Sequence, residues 1–138
     1  MGLDVARIKK KMESIREYGE RITRILPSDF GAYSKSDYVV KAAVERNIQL
    51  ISDAELDIVM LLYRGFELSI AGNESTMLDK IGVRLSGDVI KKIKERRDLR
   101  NNLVHAYADS YYDRGVFDQA KNMKDIEEFR KEVNKLTK

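Results

Sequence analysis

The only histidine of the chain, His105, follows Arg100 by five residues. An imidazole changes charge near neutral pH and can carry a proton to or from a reacting oxygen. A guanidinium offers a planar fork of donors that matches a phosphate or a carboxylate. Side by side, the two could serve a phosphodiester. Their surroundings sharpen that reading. Positions 90, 93, 97, 100, 104, 107 and 111 recur at helical spacing and hold Ile90, Ile93, Arg97, Arg100, Val104, Tyr107 and Tyr111. Arginine is rarely buried unless paired. Either this stripe turns to solvent, or Arg97 and Arg100 are held by a core acid, Asp53 or Asp57, or by an anion. Asp98, Asn101, Asn102, His105 and Asp109 form another face of the same helix. A histidine on so polar a face does not read as a core residue. With no second histidine and no cysteine, a metal site is not expected, and acid–base work suits His105 better.

Five residues on an ideal helix turn about 140° around the axis, so Arg100 and His105 diverge. Three arrangements bring them together: a bent Arg100 side chain, a break in the helix near Asn101-Asn102, or a two-fold dimer that pairs two copies of the segment. The last gives one cleft two imidazoles, a base and an acid, which suits cleavage of RNA through its own 2′-hydroxyl.

Several helices must position this segment. The first is expected from about Asp4 to Leu26, with Ile8, Met12, Ile15, Ile22 and Ile25 on one face and Pro27 as its stop. Residues 27–36 read as a connection, and Ser36 or Asp37 as the cap of the next helix. That helix reaches from about Asp37 into the sixties and carries two adjacent apolar stripes, so it packs on more than one side, as in the middle of a bundle. Gly65 or Ala71-Gly72-Asn73 is expected to end it. A short helix is expected over Thr76–Ile81, the third long one over 88–108, a turn over Asp109–Gly115, and a last helix over 122–137 with Ile126, Phe129, Val133 and Leu136 inward. No segment alternates like a strand. The expected fold is all-α, an antiparallel bundle of four to five helices forming one domain over residues 1–138.

Composition fits. The chain has 138 residues, enough for one self-supporting core. No run is long and apolar enough for a membrane span or a signal peptide, so a soluble, cytoplasmic protein without a membrane partner is expected. Net charge is only +3, but residues 91–100 hold Lys91, Lys92, Lys94, Arg96, Arg97 and Arg100 against Glu95 and Asp98. Such a run is a solvated face or a footprint for a phosphate backbone.

The segment Arg100-Asn101-Asn102-Leu103-Val104-His105-Ala106-Tyr107 has the pattern Arg-x4-His-x-Tyr, with a polar residue directly after the arginine. It resembles the signature of HEPN-domain ribonucleases, the HepT-like toxins in particular. The long second helix with Ala54-Glu55-Leu56-Asp57-Ile58-Val59, the late motif and the final helix with Phe129 are similar too, so the resemblance covers essentially the whole chain. It implies a homodimer lined by two motifs. The implied activity is metal-independent endoribonuclease cleavage of RNA without a cofactor. The implied partner is an MNT-type nucleotidyltransferase antitoxin that can transfer AMP to the motif tyrosine, here Tyr107. In that reading Arg100 and His105 are catalytic. Asn101 orients His105 or a phosphate oxygen, and Asp57 pre-sets Arg100 by pairing with it across the bundle. Lys94, Arg97 and Tyr111 touch RNA, with Lys91 and Lys92 extending the track. The sequence after the motif, Ala108-Asp109-Ser110-Tyr111-Tyr112-Asp113, departs from the family pattern in its tyrosines and aspartates. One alternative keeps the fold without catalysis: a module that binds nucleotide or RNA, or scaffolds a nucleotidyltransferase. The other is an unrelated helical interaction protein in which the motif is chance.

Overall fold

The structure is a computed structural model that describes residues 2–68, 72–105 and 112–138, with the backbone alone at His105. Seven helices and no strand occur among the described residues: α1 (Val5–Ile25), α2 (Phe30–Ser34), α3 (Tyr38–Gly65), α4 (Glu74–Ile81), α5 (Gly87–His105), α6 (Asp113–Lys121) and α7 (Lys124–Leu136). The four long ones match the expected helices. The short helix expected over Thr76–Ile81 becomes α4, which begins at Glu74. Two elements were not expected. The connection over 27–36 contains the single turn α2. The expected turn up to Gly115 gives way at Asp113 to α6, a helix too short for its buried Val116, Phe117 and Ala120 to show a repeating stripe.

Helix starts follow local chemistry. Asp4, Asp29, Asp37 and Asn73 each accept a hydrogen bond from the backbone N–H three residues on, which satisfies a donor that the first turn leaves open. Of the two caps expected for α3, Asp37 takes the role. Leu26 ends α1 in an extended conformation, as the residue before a proline must. α3 ends at Gly65, but the left-handed residue that turns the chain is Glu67 (φ 54°). Its N–H reaches the Arg64 carbonyl at 3.0 Å, and the Leu68 N–H reaches Tyr63 at 3.3 Å, the paired bonds of a Schellman motif.

α3 is the axis of the molecule, and α1, α4, α5 and α6 all pack on it. Two contacts fix the antiparallel register of α1 on α3. Lys11 meets Asp57 at 2.9 Å, and Leu3 lies so close over Gly65 that a Cβ there would collide with it. α5 returns antiparallel to α3, pinned by Arg96 on Glu55 and Arg100 on Asp53. α7 runs antiparallel to α5, with Glu132 accepting from the Ser86 N–H and hydroxyl at 2.7 and 2.8 Å and Asp125 meeting Arg96. Ile8, Ile15, Ile22, Val44, Ile48, Ile51, Ile58 and Leu62 fill the α1–α3 seam, and Ile93, Leu103, Phe129 and Val133 carry the core beneath α5 and α7.

Candidate functional site

Arg100 lies where α3, α4 and α5 meet. Its Nη1 donates to Asp53 Oδ1 at 2.7 Å, and Nε and Nη2 donate to Asn101 Oδ1 at 3.2 and 2.9 Å. Glu74 at the start of α4 adds a looser contact at 3.5 Å. The arginine side chain is 17% exposed, while the carboxylates of Asp53 and Glu74 are about half exposed. Three oxygen groups from three elements therefore set the plane of the guanidinium while leaving its rim at the surface. A fork fixed before its ligand arrives loses less freedom when it binds one.

Of the two acids weighed for Arg100, Asp53 is the one that holds it, and Asp57, assigned the supporting role with the family resemblance, is not there. It lies one turn further along α3 and bonds Lys11 of α1. Asp53 and Asp57 share the outer strip of α3, but α5 crosses on the Asp53 side of that strip and α1 reaches it at Asp57, so Arg100 meets the first and Lys11 the second. Asn101, expected to face His105 or a phosphate, here accepts from Arg100.

α5 is helical without interruption from Gly87 to His105, so the break considered at Asn101-Asn102 does not occur. On that regular helix position 105 lies about 7.5 Å along the axis and about 140° around it from position 100. Beyond its place as the last residue of α5, His105 lies outside the described side chains. Tyr107 and Tyr111 lie outside the described residues.

Lys94 is ion-paired with Asp79 of α4. Arg97 donates to Asp98 at 3.2 Å and is mostly covered, with its Nε lacking an acceptor. The stripe through Arg97 turns toward the surface along its length: Ile90 and Ile93 are buried, whereas Arg97 and Arg100 keep part of their side chains exposed. Val104 is exposed, and the inward line is Val89, Ile93, Arg96 and Leu103. The buried arginine is thus Arg96, which the sequence reading passed over. Its Nη1 spans both oxygens of the wholly buried Glu55 at 2.7 and 2.8 Å, and its Nη2 reaches Asp125 at 2.6 Å. Burial pushes the Glu55 carboxyl up and Arg96 opposes that shift. Burial also works against the charge of Arg96, but Glu55 and Asp125 more than offset it and raise its pKa. One signal for this triad was present in the sequence: Glu55 sits on α3 between the inward Ile51 and Ile58, and a carboxylate in a core stripe needs a buried cation.

No group of three or more His, Asp or Glu among the described residues is arranged to hold a metal ion. No helix among them is long and apolar enough to cross a membrane.

Comparison with known proteins places this geometry. The family model described as ribonuclease HepT-like matches residues 15–136, a span that contains Asp53, Glu74 and the whole Arg100–Tyr107 segment. The chain belongs to the HepT-like ribonuclease family. Its fold is that of HEPN toxins solved in complexes. A toxin–antitoxin MntA-HpeT mutant superposes with a TM-score of 0.83 at 20% identity, over 94% of this chain and 98% of that one. A tri-AMPylated Shewanella oneidensis HEPN toxin in complex with MNT antitoxin gives 0.82 at 22% identity, over 96% and 98%. A toxin–antitoxin crystal structure with AMP-PNP gives 0.79 at 19% identity, over 95% and 97%. At such identities the likeness is one of fold. No curated protein matches the sequence.

Proposed function

We propose that this protein is a metal-independent endoribonuclease, the toxin of a HEPN/nucleotidyltransferase pair, and that it cuts RNA with Arg100 and His105. The observation that carries the reading is the held guanidinium of Arg100 inside the Arg-x4-His-x-Tyr segment, in a chain of a ribonuclease family.

In this reading Arg100 takes a non-bridging oxygen of the scissile phosphate, exchanging a carboxylate contact for it, and stabilises the charge that grows there during cleavage. His105 removes the proton from the ribose 2′-hydroxyl or delivers one to the departing 5′-oxygen. The 2′-oxygen bonds to phosphorus as the 5′-oxygen leaves, giving a cyclic phosphate and a free 5′-hydroxyl. The unbroken helix between positions 100 and 105 makes a single copy a poor source of both groups at one phosphate. A homodimer that brings two motifs to one cleft meets that need. Asn101 and Asp53 act as positioning residues for Arg100, and Arg97, Lys94 and Tyr111 contact the chain beyond. Because solved HEPN toxins of this fold sit with an MNT antitoxin and one is AMPylated, the partner proposed here is an antitoxin of that type, acting in the cytoplasm. AMP on Tyr107 would bring bulk and negative charge to the phosphate site and block RNA.

The test is incubation of the purified protein with total RNA in EDTA, beside His105→Ala. Cleavage by the parent alone is expected. Equal cleavage by both overturns the assignment of His105. If neither cuts, intact mass decides: an added AMP keeps the reading, and an unmodified chain turns it toward a non-catalytic module.

A further inference from the structure

The outer strip of α3 carries Arg46, Asp53, Asp57, Met60 and Arg64, all exposed and within about a quarter turn of one another around the axis. Two cations lean onto it from opposite sides, Arg100 from α5 at Asp53 and Lys11 from α1 at Asp57. Next to Asp57 the strip opens into a cavity of about 250 Å³ lined by Arg7, Lys11, Asp57, Met60, Leu61 and Arg64. That lining holds three cations and one carboxylate, and the carboxylate is already engaged by Lys11. Neither Arg7 nor Arg64 has an acidic partner among the described residues, and Arg7 stands one helical turn from Lys11, a spacing at which like charges repel. Met60 and Leu61 add the apolar part of the lining.

We infer that this cavity is a second phosphate site, in which Arg7, Lys11 and Arg64 hold the RNA backbone a short distance from the scissile bond. The inference rests on the ribonuclease reading above and adds to it a direction for the substrate: along α3 from Asp53 toward its C-terminal end. Eleven residues separate Asp53 from Arg64, about 16 Å of helix, which a short run of single-stranded RNA spans. An anion in the cavity relieves the repulsion among its cations, and the apolar lining of Met60 and Leu61 suits a ribose or base. The local charge excess, rather than the small net charge of the whole chain, supplies the attraction.

The test uses a fluorescent single-stranded 2′-O-methyl oligoribonucleotide, which cannot be cut through its 2′-oxygen, titrated by anisotropy over a range of salt concentrations. The proteins are the parent, Arg7→Gln/Arg64→Gln, and Lys131→Gln/Lys135→Gln as a control with the same charge removed from the exposed side of α7. Unmodified RNA of the same sequence is assayed for cleavage by the parent in parallel. Each phosphate contact contributes about 0.7 to the slope of log affinity against log salt for a single strand. The Arg7/Arg64 variant is therefore expected to bind more weakly, with a slope smaller by about 1.4, while the control keeps the parent's slope. If the parent cuts RNA but the Arg7/Arg64 variant keeps its affinity and slope, or the control loses as much, the cavity assignment is overturned and the ribonuclease reading stands. If a parent whose intact mass shows no added AMP neither binds nor cuts, the ribonuclease reading fails and this inference with it. If the Arg7/Arg64 variant keeps RNA but loses a co-purified nucleotidyltransferase-fold protein, the cavity serves an acidic protein surface and the inference is again overturned.

Discussion

Arg96 and Arg100 stand one turn apart on α5 and both face α3, yet they have opposite surroundings. Arg96 is 1% exposed and meets Glu55, which has no exposed surface, and Asp125. Arg100 keeps its rim in solvent, and its carboxylates are half exposed. The difference separates a locked charge from an exchangeable one on a single helix. A buried charge whose partners are also buried is locked, because any other arrangement leaves an ion uncompensated in a poor dielectric. A charge at the surface exchanges its partners at small cost, so it can release a carboxylate and accept a phosphate. The triad at Arg96 fixes α3, α5 and α7 against one another, and that fixed frame presents Arg100.

The comparison breaks most visibly at Arg96. Arg96→Ala strands the buried Glu55 carboxylate and is expected to lower stability by about 3–5 kcal/mol, read as a shift in the denaturation midpoint. A loss below about 1 kcal/mol would mean that the triad is no lock. The triple variant Arg96→Met/Glu55→Leu/Asp125→Leu removes every charge of the triad together. It is expected to recover most of that loss, since apolar residues of similar volume replace buried ion pairs at little cost. A triple variant as unstable as Arg96→Ala would show that packing, not charge burial, sets the penalty. Asp53→Asn sharpens the other half. Stability should change by less than about 1 kcal/mol, while the rate at saturating RNA falls and Asp53→Glu restores part of it. A stability loss with an unchanged rate would make Asp53 structural.

The smallest effect lies at Tyr33 of α2. The Tyr33 hydroxyl is buried without a hydrogen-bond partner, and burial, then Glu45 and Asp113, push its pKa up. A raised folded pKa means that this group's contribution is intact below the unfolded value of about 10. It is lost as pH climbs from there toward the folded value. Stability should therefore fall as pH rises beyond about 10, less steeply in Tyr33→Phe. At neutral pH that substitution should cost almost nothing, because the hydroxyl it removes makes no bond. Equal alkaline slopes in parent and variant would contradict this.

Much of the fold was legible because α1, α3, α5 and α7 are long enough for periodicity, stops and caps to agree: Ile8 to Ile22 on one face, Pro27 behind them, Asp37 ahead of the next helix. α2 and α6 escaped because one or two turns give no repeat to read, and in α6 Gly115 falls in the first turn. Arg100 was legible as a held arginine with Asp53 or Asp57 as its acid, but the supporting role was given to Asp57, one turn too far, and Asp53 takes it. The outer strip of α3 offers two equivalent aspartates, and only tertiary crossing decides which helix reaches each. Arg96 was missed for a different reason. Within the basic run 91–100 Arg96 reads as one more solvated cation, and the apolar residues around it do not single it out from Arg97 and Arg100. A charged core residue becomes visible only when its counterion, Glu55 on another helix, is weighed with it.

The most direct test of the account measures thermal stability and RNA cleavage on the same preparation of Arg100→Ala. The account predicts a midpoint near that of the parent, since the ion pairs lost are exposed, together with a loss of cleavage of about 10²–10³-fold. A folded Arg100→Ala protein that cuts RNA as fast as the parent would contradict it.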